Sequence, residues 1–298
     1  MQYSCSMREA QGDKDMEVLI RLGTFLGVFA VLATCEFWRP RRPLSQPRWQ
    51  HWLVNLALTA IDTLVVRLTV GAVAVSAAVF AQQRGWGLLP LLHVPLGANI
   101  LLSIVLLDFA IYLQHVLFHA LPLFWRLHMV HHTDLDIDVT SGVRFHPLEI
   151  LLSLFYKASL VLLLGTHPLA VVIFEVLLNA FSLFQHSNVA FPEGMERLVR
   201  TVVITPDLHR IHHSVVTAET NSNFGFSVCF WDRLCGTYRD QPRRTQTTMP
   251  LGLAEYREAR RLGLVSLLLL PFLPHLPRAS SGYLTPEETQ EREKCDGA

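Results

Sequence analysis

The sequence predicts an all-α integral membrane protein, a bundle of about four to five membrane helices with a helical, histidine-rich cytoplasmic cap. Three observations predict this fold. Hydrophobic residues make up 51% of the 298 residues and charged residues only 17%, which is unusual for a soluble protein. The apolar residues form runs about as long as the roughly twenty helical residues that cross a bilayer. Eight of the 14 histidines form three tight groups, each after a strongly apolar segment.

Apolar runs predict the individual membrane helices. Three of them are long enough to span a bilayer: residues 22–38, 52–80 and 100–125. A further pair, 148–165 and 169–184, is joined by a short turn-forming stretch, which predicts a helical hairpin, spanning or re-entrant. Two prolines interrupt the apolar residues 262–276, so we expect an interfacial or cap-packing helix there.

Basic residues favour one orientation in the membrane. The positive-inside rule places in the cytoplasm the cluster that follows the first apolar run, Arg39, Arg41, Arg42 and Arg48. With the later helices crossing in turn, all three histidine groups then lie on the cytoplasmic side. Both the bacterial inner membrane and the endoplasmic reticulum membrane are compatible with this topology.

The same patterns divide the chain into five segments. They are a polar N-terminal segment (1–21, loose over 1–15), N-terminal membrane helices (22–98), a histidine-bearing domain (99–250), C-terminal interfacial helices (251–276) and a disordered polar tail (277–298).

Composition excludes two classes of protein. The net charge is zero and the basic residues form no dense patch with interleaved aromatics, so nucleic acid is not an expected partner. The five cysteines are scattered and odd in number, so they predict neither a disulfide framework nor a zinc ribbon.

The histidine spacing predicts a metal site. Helical residues three or four apart share a face, so each group can present two or three imidazoles toward one point. The three groups are His115 and His119; His128, His131 and His132; and His209, His212 and His213. Adjacent histidines point about 100° apart on a helix, so each adjacent pair suits two neighbouring ions. Eight or nine imidazoles are too many for one tetrahedral ion, and a nitrogen-rich pair of sites points to iron.

The remaining histidines have separate expectations. We expect His186 as a ninth ligand because it follows the hairpin on the same side of the membrane. For His146 three roles stay open: a ligand, a hydrogen-bonding support for a ligand, or a helix cap. His167 lies at the far end of the hairpin and is not expected to bind metal. His51, His93 and His275 are expected to be background.

Polar side chains near these groups are candidates for supporting roles. Asp108 and Tyr112 share one helical stripe with His115 and His119, so Asp108 either orients a ligand ring or is an unrelated interior acceptor. Acids that could offset the charge of the metal are Asp108, Asp134, Asp136, Asp138 and Asp207, although a solvated loop is favoured for the set 134–138. Lys157 and Glu175 lie at equal depth in the hairpin and either pair or reach separately toward the interface.

Six motifs resemble a known family. The sequence is similar to the fatty acid hydroxylase superfamily, which includes sterol desaturases, methyl sterol oxidases and alkylglycerol monooxygenase. The resemblance extends from about residue 101 to residue 238 and is carried by DFAIYLQHVLFH (108–119), HMVHH (128–132), RFHPLE (144–149), QHSN (185–188), HRIHH (209–213) and NFGFSVCFWDRLCGTY (223–238).

The resemblance implies a helical membrane enzyme with two iron ions, facing the cytoplasm, that activates dioxygen as co-substrate and oxidises a lipid C–H bond. By position, the eight clustered histidines match the family's metal ligands and His186 matches a less uniform one. We expect electrons from a separate cytochrome- or ferredoxin-type protein, since the sequence has no dinucleotide-binding fingerprint. Hydroxylation and desaturation both remain open, as do the lipid and the oligomeric state.

Two other functions are compatible with the histidines. A metal-binding or transport protein would spread its ligands across the membrane, whereas the three groups gather on one side. A catalytically silent, lipid-binding relative would not need the complete histidine set. For any bound metal the imidazoles must be neutral, so the sequence alone predicts loss of metal below about pH 6.5.

Overall fold

The computed structural model describes the backbone of residues 2–274 and the side chains of residues 16–274. In this part of the chain all regular secondary structure is helical, apart from isolated β-bridges. The predicted all-α membrane fold is therefore confirmed. The predicted tail, residues 277–298, and His275 lie outside the described residues.

Five segments are long and apolar enough to cross a membrane: Met16–Trp38, Arg48–Leu91, Leu96–Ala120, Pro147–Leu164 and Pro168–His186. Their outer surfaces carry large exposed apolar side chains, such as Val31, Leu68 and Leu163. Such a surface fits lipid rather than water. The chain is a multi-pass membrane protein.

The membrane helices are α1 (Gln2–Trp38), α2 (Arg48–Thr69), α3 (Val73–Arg84), the short α4 (Leu88–Leu91), α5 (Leu96–Ala120), α7 (Pro147–Leu164) and α8 (Pro168–His186). Between α5 and α7 the chain forms α6 (Pro122–His132) and a 3₁₀ turn (Val139–Val143). The cap consists of α9 (Glu193–Val199), α10 (Pro206–His212), α11 (Thr217–Thr220), α12 (Phe230–Cys235) and α13 (Leu264–Leu269).

Two expectations for the N-terminal part need correction. The run 52–80 is two helices, because the chain turns at Gly71, whose φ of 54° is left-handed and suits glycine. The segment 1–15, expected to be loose, is helical from Gln2. It contains no proline, so the helix of the first span continues through it.

The hairpin α7–α8 matches the sequence prediction. Both helices begin with proline in the first turn, and His146 and His167 cap them by accepting hydrogen bonds from backbone amides. Between the helices Gly165 is left-handed (φ 66°) and packs directly against the backbone of residues 86–87. The hairpin is thereby fixed against the turn that follows α3.

The C-terminal α13, with the residue after it, packs against α2 and α6. Leu267 and Leu270 are buried together with Leu58, Trp125 and Met129 in one apolar cluster. This cluster packs against one side of α6 next to the histidines, and the ring of its Trp125 lies 5.3 Å from that of His132.

Candidate metal centre

Nine buried histidines from four helices meet at one end of the helix bundle. Each has at most 4% of its surface exposed. α5 supplies His115 and His119; α6 supplies His128, His131 and His132; α8 supplies His186; and α10, with the residue after it, supplies His209, His212 and His213. The structure therefore brings together every histidine that the sequence analysis named as a ligand.

The nine side chains form two neighbouring groups. The first contains His115, His119, His128, His132 and His212, and the second His131, His186, His209 and His213. Within each group the candidate ligand nitrogens all lie within 4.8 Å of one another. Each adjacent pair, 131–132 and 212–213, is divided between the two groups, as the helical geometry predicts. Their role as metal ligands stays a prediction.

Backbone carbonyls fix the orientation of four of these rings. A carbonyl oxygen only accepts, so the Nδ1 that contacts it carries the hydrogen and Nε2 keeps a free lone pair. These hydrogen bonds join His115 to Phe224 O (2.8 Å), His131 to Arg144 O (3.1 Å), His186 to Ser182 O (2.7 Å) and His212 to Ser222 O (2.8 Å).

A consequence is that two lone pairs face each other in the second group. Nε2 of His131 and Nε2 of His186 are 3.0 Å apart, and neither has a hydrogen to donate. Two nitrogens that bind one ion at about 2.1 Å lie roughly 3.0–3.4 Å apart. In the first group Nε2 of His132 and of His212 are buried without a hydrogen-bond partner. The free lone pairs of these nitrogens therefore fit a cation in each group.

Burial keeps the imidazoles neutral. Loss of solvation lowers the pKa of His128 to about 3. Burial, followed by repulsion from neighbouring imidazoles, holds the pKa values of five others well below 6.5: His131, His132, His209, His212 and His213. Neutral imidazole is the form that binds metal.

Glu149 is a supporting residue that the sequence analysis did not assign. Its Oε1 lies 2.7 Å from Nδ1 of His128, and both side chains are buried. A carboxylate in this position orients a metal-binding imidazole and increases its basicity. The sequence does carry a signal for this role: an acid in the first turn of an apolar membrane helix. Burial of such a group costs free energy unless it has a partner.

The hydrogen bond of Asp108 leads away from the histidines, which fits the alternative of an interior acceptor. Its Oδ2 accepts a hydrogen bond from Trp231 Nε1 (2.7 Å), and the hydroxyl of Tyr112 contacts Thr237 Oγ1 (3.0 Å). Asp108 lies seven residues before His115, about 10 Å along the helix, which is too far for a direct contact. These two residues tie α5 to the segment around α12.

His51 and the three aspartates also differ from expectation. Asp134, Asp136 and Asp138 are buried rather than solvated, with at most 2% exposed. His51 bridges two of them, Asp138 through Nδ1 (3.0 Å) and Asp134 through Nε2 (2.8 Å). Burial alone would raise the pKa of Asp134, but His51 and Arg144 hold it well below its usual range. Sequence spacing gives no sign of contacts between residues more than eighty positions apart.

Arg144 connects this polar network to the histidines. Its guanidinium donates to Val130 O (3.2 Å), Thr133 Oγ1 (3.1 Å) and Asn55 Oδ1 (2.7 Å), while its carbonyl accepts from His131. The network therefore fixes the C-terminal end of α6, where two of the predicted ligands lie.

The structure resolves the remaining expectations. His146 is a helix cap outside both groups, and its Nε2 contacts Leu268 O (3.2 Å). Asp207 pairs with Arg41 and Arg210. Lys157 forms an ion pair with Glu175, which also pairs with Arg21 (2.6 Å).

A cavity of about 610 Å³ opens onto the first histidine group. His115, His128 and Glu149 line it at the histidine end, and the ion pairs of Arg21, Lys157 and Glu175 line it elsewhere. This volume is in the range of sites for small organic ligands.

Comparison with known proteins identifies the region that holds this centre. Residues 100–237 match the family model described as fatty acid hydroxylase. The chain contains a fatty acid hydroxylase domain. The nine histidines and Glu149 all lie within the fatty acid hydroxylase domain, whereas α1, α2 and α3 precede it.

Relatives of the fatty acid hydroxylase domain act on several lipids, by their names. An ornithine lipid hydroxylase of Rhizobium tropici is 35% identical over 154 residues, 51% of this chain and 45% of that protein. Human cholesterol 25-hydroxylase is 32% identical over 157 residues (51% and 53%), and human alkylglycerol monooxygenase 28% over 131 residues (44% and 28%). The chain thus spans about half or less of the length of these curated relatives. No solved structure matches it.

Proposed function

We propose that the protein is a membrane-bound, dioxygen-dependent oxidase with two iron ions that hydroxylates or desaturates a C–H bond of a lipid. One observation carries the proposal: two adjacent groups of neutral, buried imidazoles, of which the first lines a cavity between membrane helices. The named relatives, which include hydroxylases, a monooxygenase and a Δ7-sterol 5(6)-desaturase, support the reaction class.

The two histidine groups would each hold one ion. When bound, the iron pair would supply the activation of dioxygen and the oxidation of the C–H bond. Within the chain, Glu149 keeps His128 aimed at the first group, and carbonyls of Phe224 and Ser222 do the same for His115 and His212. Burial of all nine rings excludes bulk water, which protects a reactive centre from side reactions.

The substrate would enter the cavity from the bilayer. Its chemical class, a sterol, fatty acyl or ether lipid, is proposed from the cavity and from the names of the relatives. Electrons would come from a separate cytochrome- or ferredoxin-type protein. The active site would face the cytoplasm, as the arginine cluster after α1 predicts.

The test combines metal analysis with lipid analysis. Purified protein is expected to contain about two irons per chain and to consume dioxygen only when reduced and given lipid. Lipid profiles of host membranes that contain the wild type should show an oxidised lipid that is absent with His128→Ala. A matched control is His167→Ser, which changes a histidine at the opposite end of the hairpin and keeps a capping hydroxyl.

The other outcomes identify the alternatives. Full iron loading without oxidation of any lipid would support a silent, lipid-binding relative instead. Metal uptake into vesicles, abolished by His128→Ala, would support a metal transporter.

A further inference from the structure

Polar residues form part of the wall of the cavity beside the first histidine group. Most of these groups already have hydrogen-bond partners. Thr59 donates to Asn55 O and Val143 O, Ser153 to Gln114 Oε1, and Ser182 to Gly142 O. They therefore require nothing from a ligand.

Four charged residues that line the cavity are paired with one another. Arg21 pairs with Glu17 (2.8 Å) and Glu175 (2.6 Å), and Lys157 pairs with Glu175. Two bases and two acids form this network, so its charges balance. A ligand would gain little from it unless it broke a pair that is already formed.

Asp62 differs from these residues. It belongs to α2, lines the cavity, and is 7% exposed. Its Oδ1 is buried and has no hydrogen-bond partner among the described residues. Oε2 of Glu149, on the same cavity wall, is buried without a partner as well. A buried acid left in this way destabilises the fold, and such sites in natural proteins tend to be functional.

These two oxygens indicate which chemical group on a ligand could bind to them. When its carboxyl is ionised, each of these oxygens only accepts hydrogen bonds, so the complementary ligand group is a donor. A hydroxyl or an ammonium group can donate to a carboxylate oxygen, whereas a hydrocarbon chain, an ester or a ketone cannot.

We propose that Asp62 binds a hydrogen-bond-donating group, a hydroxyl or an ammonium, on the lipid that occupies the cavity. The proposal rests on the proposed function, because it takes the occupant of the cavity to be the substrate. It makes Asp62 a specificity-determining residue: the lipid is selected by its polar group as well as by its hydrocarbon.

Glu149 relates Asp62 to the histidines. Asp62 and Glu149 line the same cavity, and Glu149 contacts His128 through its other carboxyl oxygen. A donor held at Asp62 would therefore fix which part of the molecule reaches His115 and His128.

Binding of three matched probes tests the proposal without requiring turnover. The probes are radiolabelled hexadecanol, hexadecylamine and hexadecane, measured by equilibrium binding to the iron-loaded full chain in detergent micelles. The wild type should bind at least one donor-carrying probe more tightly than hexadecane. Asp62→Ala should weaken that binding roughly tenfold and leave hexadecane unchanged, since a hydrogen bond to a charged group is lost.

Asp62→Asn distinguishes the two donors. The amide oxygen still accepts from a hydroxyl, so hexadecanol binding should persist if the natural ligand is an alcohol. If the ligand is an ammonium, loss of the carboxylate charge should weaken hexadecylamine binding as much as Asp62→Ala does. Leu64→Ala is the matched control, since Leu64 is two residues away on α2, 57% exposed, and does not line the cavity.

Thermal unfolding separates a binding role from a structural one. Since Asp62 lacks a partner, Asp62→Asn should unfold at the same or a higher temperature than the wild type. A lower unfolding temperature, or binding of both donor probes within twofold of wild type in Asp62→Ala, would overturn the proposal. If donor binding depends on Asp62 but no lipid is ever oxidised, the proposed enzymatic function fails and the binding site stands.

Discussion

At the scale of single residues, hydrogen bonds to Nδ1 decide what the histidines can do. A clustered histidine becomes a metal ligand only when one nitrogen is free and aimed inward, and here backbone carbonyls and Glu149 fix that choice. The spacing of the histidines predicts which residues meet. The spacing does not show which atoms accept hydrogen bonds from the rings, because the carbonyls of Phe224 and Ser222 belong to a loop far along the chain.

Removal of the Glu149 carboxylate should weaken iron binding. We expect Glu149→Ala to lower iron affinity by about 10- to 100-fold and Glu149→Gln by less, because the amide still accepts from His128. The measurement is iron content after dialysis against a graded chelator series. Asp108→Asn is the matched control: this buried acid contacts Trp231 and no predicted ligand, so affinity should not change. Equal losses in both variants would contradict the assigned role of Glu149.

Metal retention in acid is expected to extend below the pH that the sequence alone predicts. The folded-state pKa of His128 is about 3, below the ordinary value near 6.5, so the folded protein keeps this ring neutral between those values. An unfolded chain takes up protons in the same interval, so stability falls as the pH decreases from 6.5 toward 3. Iron content after equilibration at pH 5 should match that at pH 7 while the protein stays folded. Release of iron at pH 6 from folded protein would contradict this expectation.

At the scale of elements, prolines and turn-forming residues predict where helices begin and end. Composition is a poorer guide to the number of helices. The prolines that begin α7 and α8, with the turn between them, predict the hairpin within a few residues. The break between α2 and α3 was missed because the run 52–80 is apolar throughout and only Gly71 marks the turn. The polar network of His51 was missed because it joins α2 to a loop that is distant in sequence.

The turn at Gly165 should be sensitive to a single methyl group. A Cβ there would overlap the carbonyl oxygen of Trp86, and the residue is left-handed as well. We expect Gly165→Ala to destabilise the protein by more than about 1 kcal/mol, measured by thermal unfolding in detergent. Gly27→Ala is the control, because no atom lies within 4 Å of its added Cβ and alanine favours helix. An unchanged unfolding temperature for Gly165→Ala would show that the two turns do not pack tightly.

At the scale of the whole molecule, the membrane helices form most of the cavity wall. α1, α2, α3, α5, α7 and α8 line the cavity, together with His128 of α6 and with Gly142, Val143 and Phe145 of the loop after it. The histidine end of the molecule can be predicted from the sequence, because histidine spacing and apolar runs are local signals. The cavity wall, including Asp62, depends on how distant helices pack, and no local pattern encodes that.

The proposed orientation can be measured with single cysteines. In a cysteine-free background, Thr247→Cys lies in the cap and Leu92→Cys at the opposite end of α5, and both positions are exposed. A membrane-impermeant maleimide should label Thr247→Cys only from the cytoplasmic side and Leu92→Cys only from the other side. The reverse pattern would place the histidines outside the cytoplasm and would refute the positive-inside assignment.

The division of neighbouring histidines between two groups couples the two groups. α6 and α10 each contribute to both groups, so a metal that orders either helix for one group also orders ligands of the other. A one-residue insertion in either helix would rotate the side chains that follow it by about 100° and turn them away from their groups. We therefore expect the two groups to gain and lose metal together.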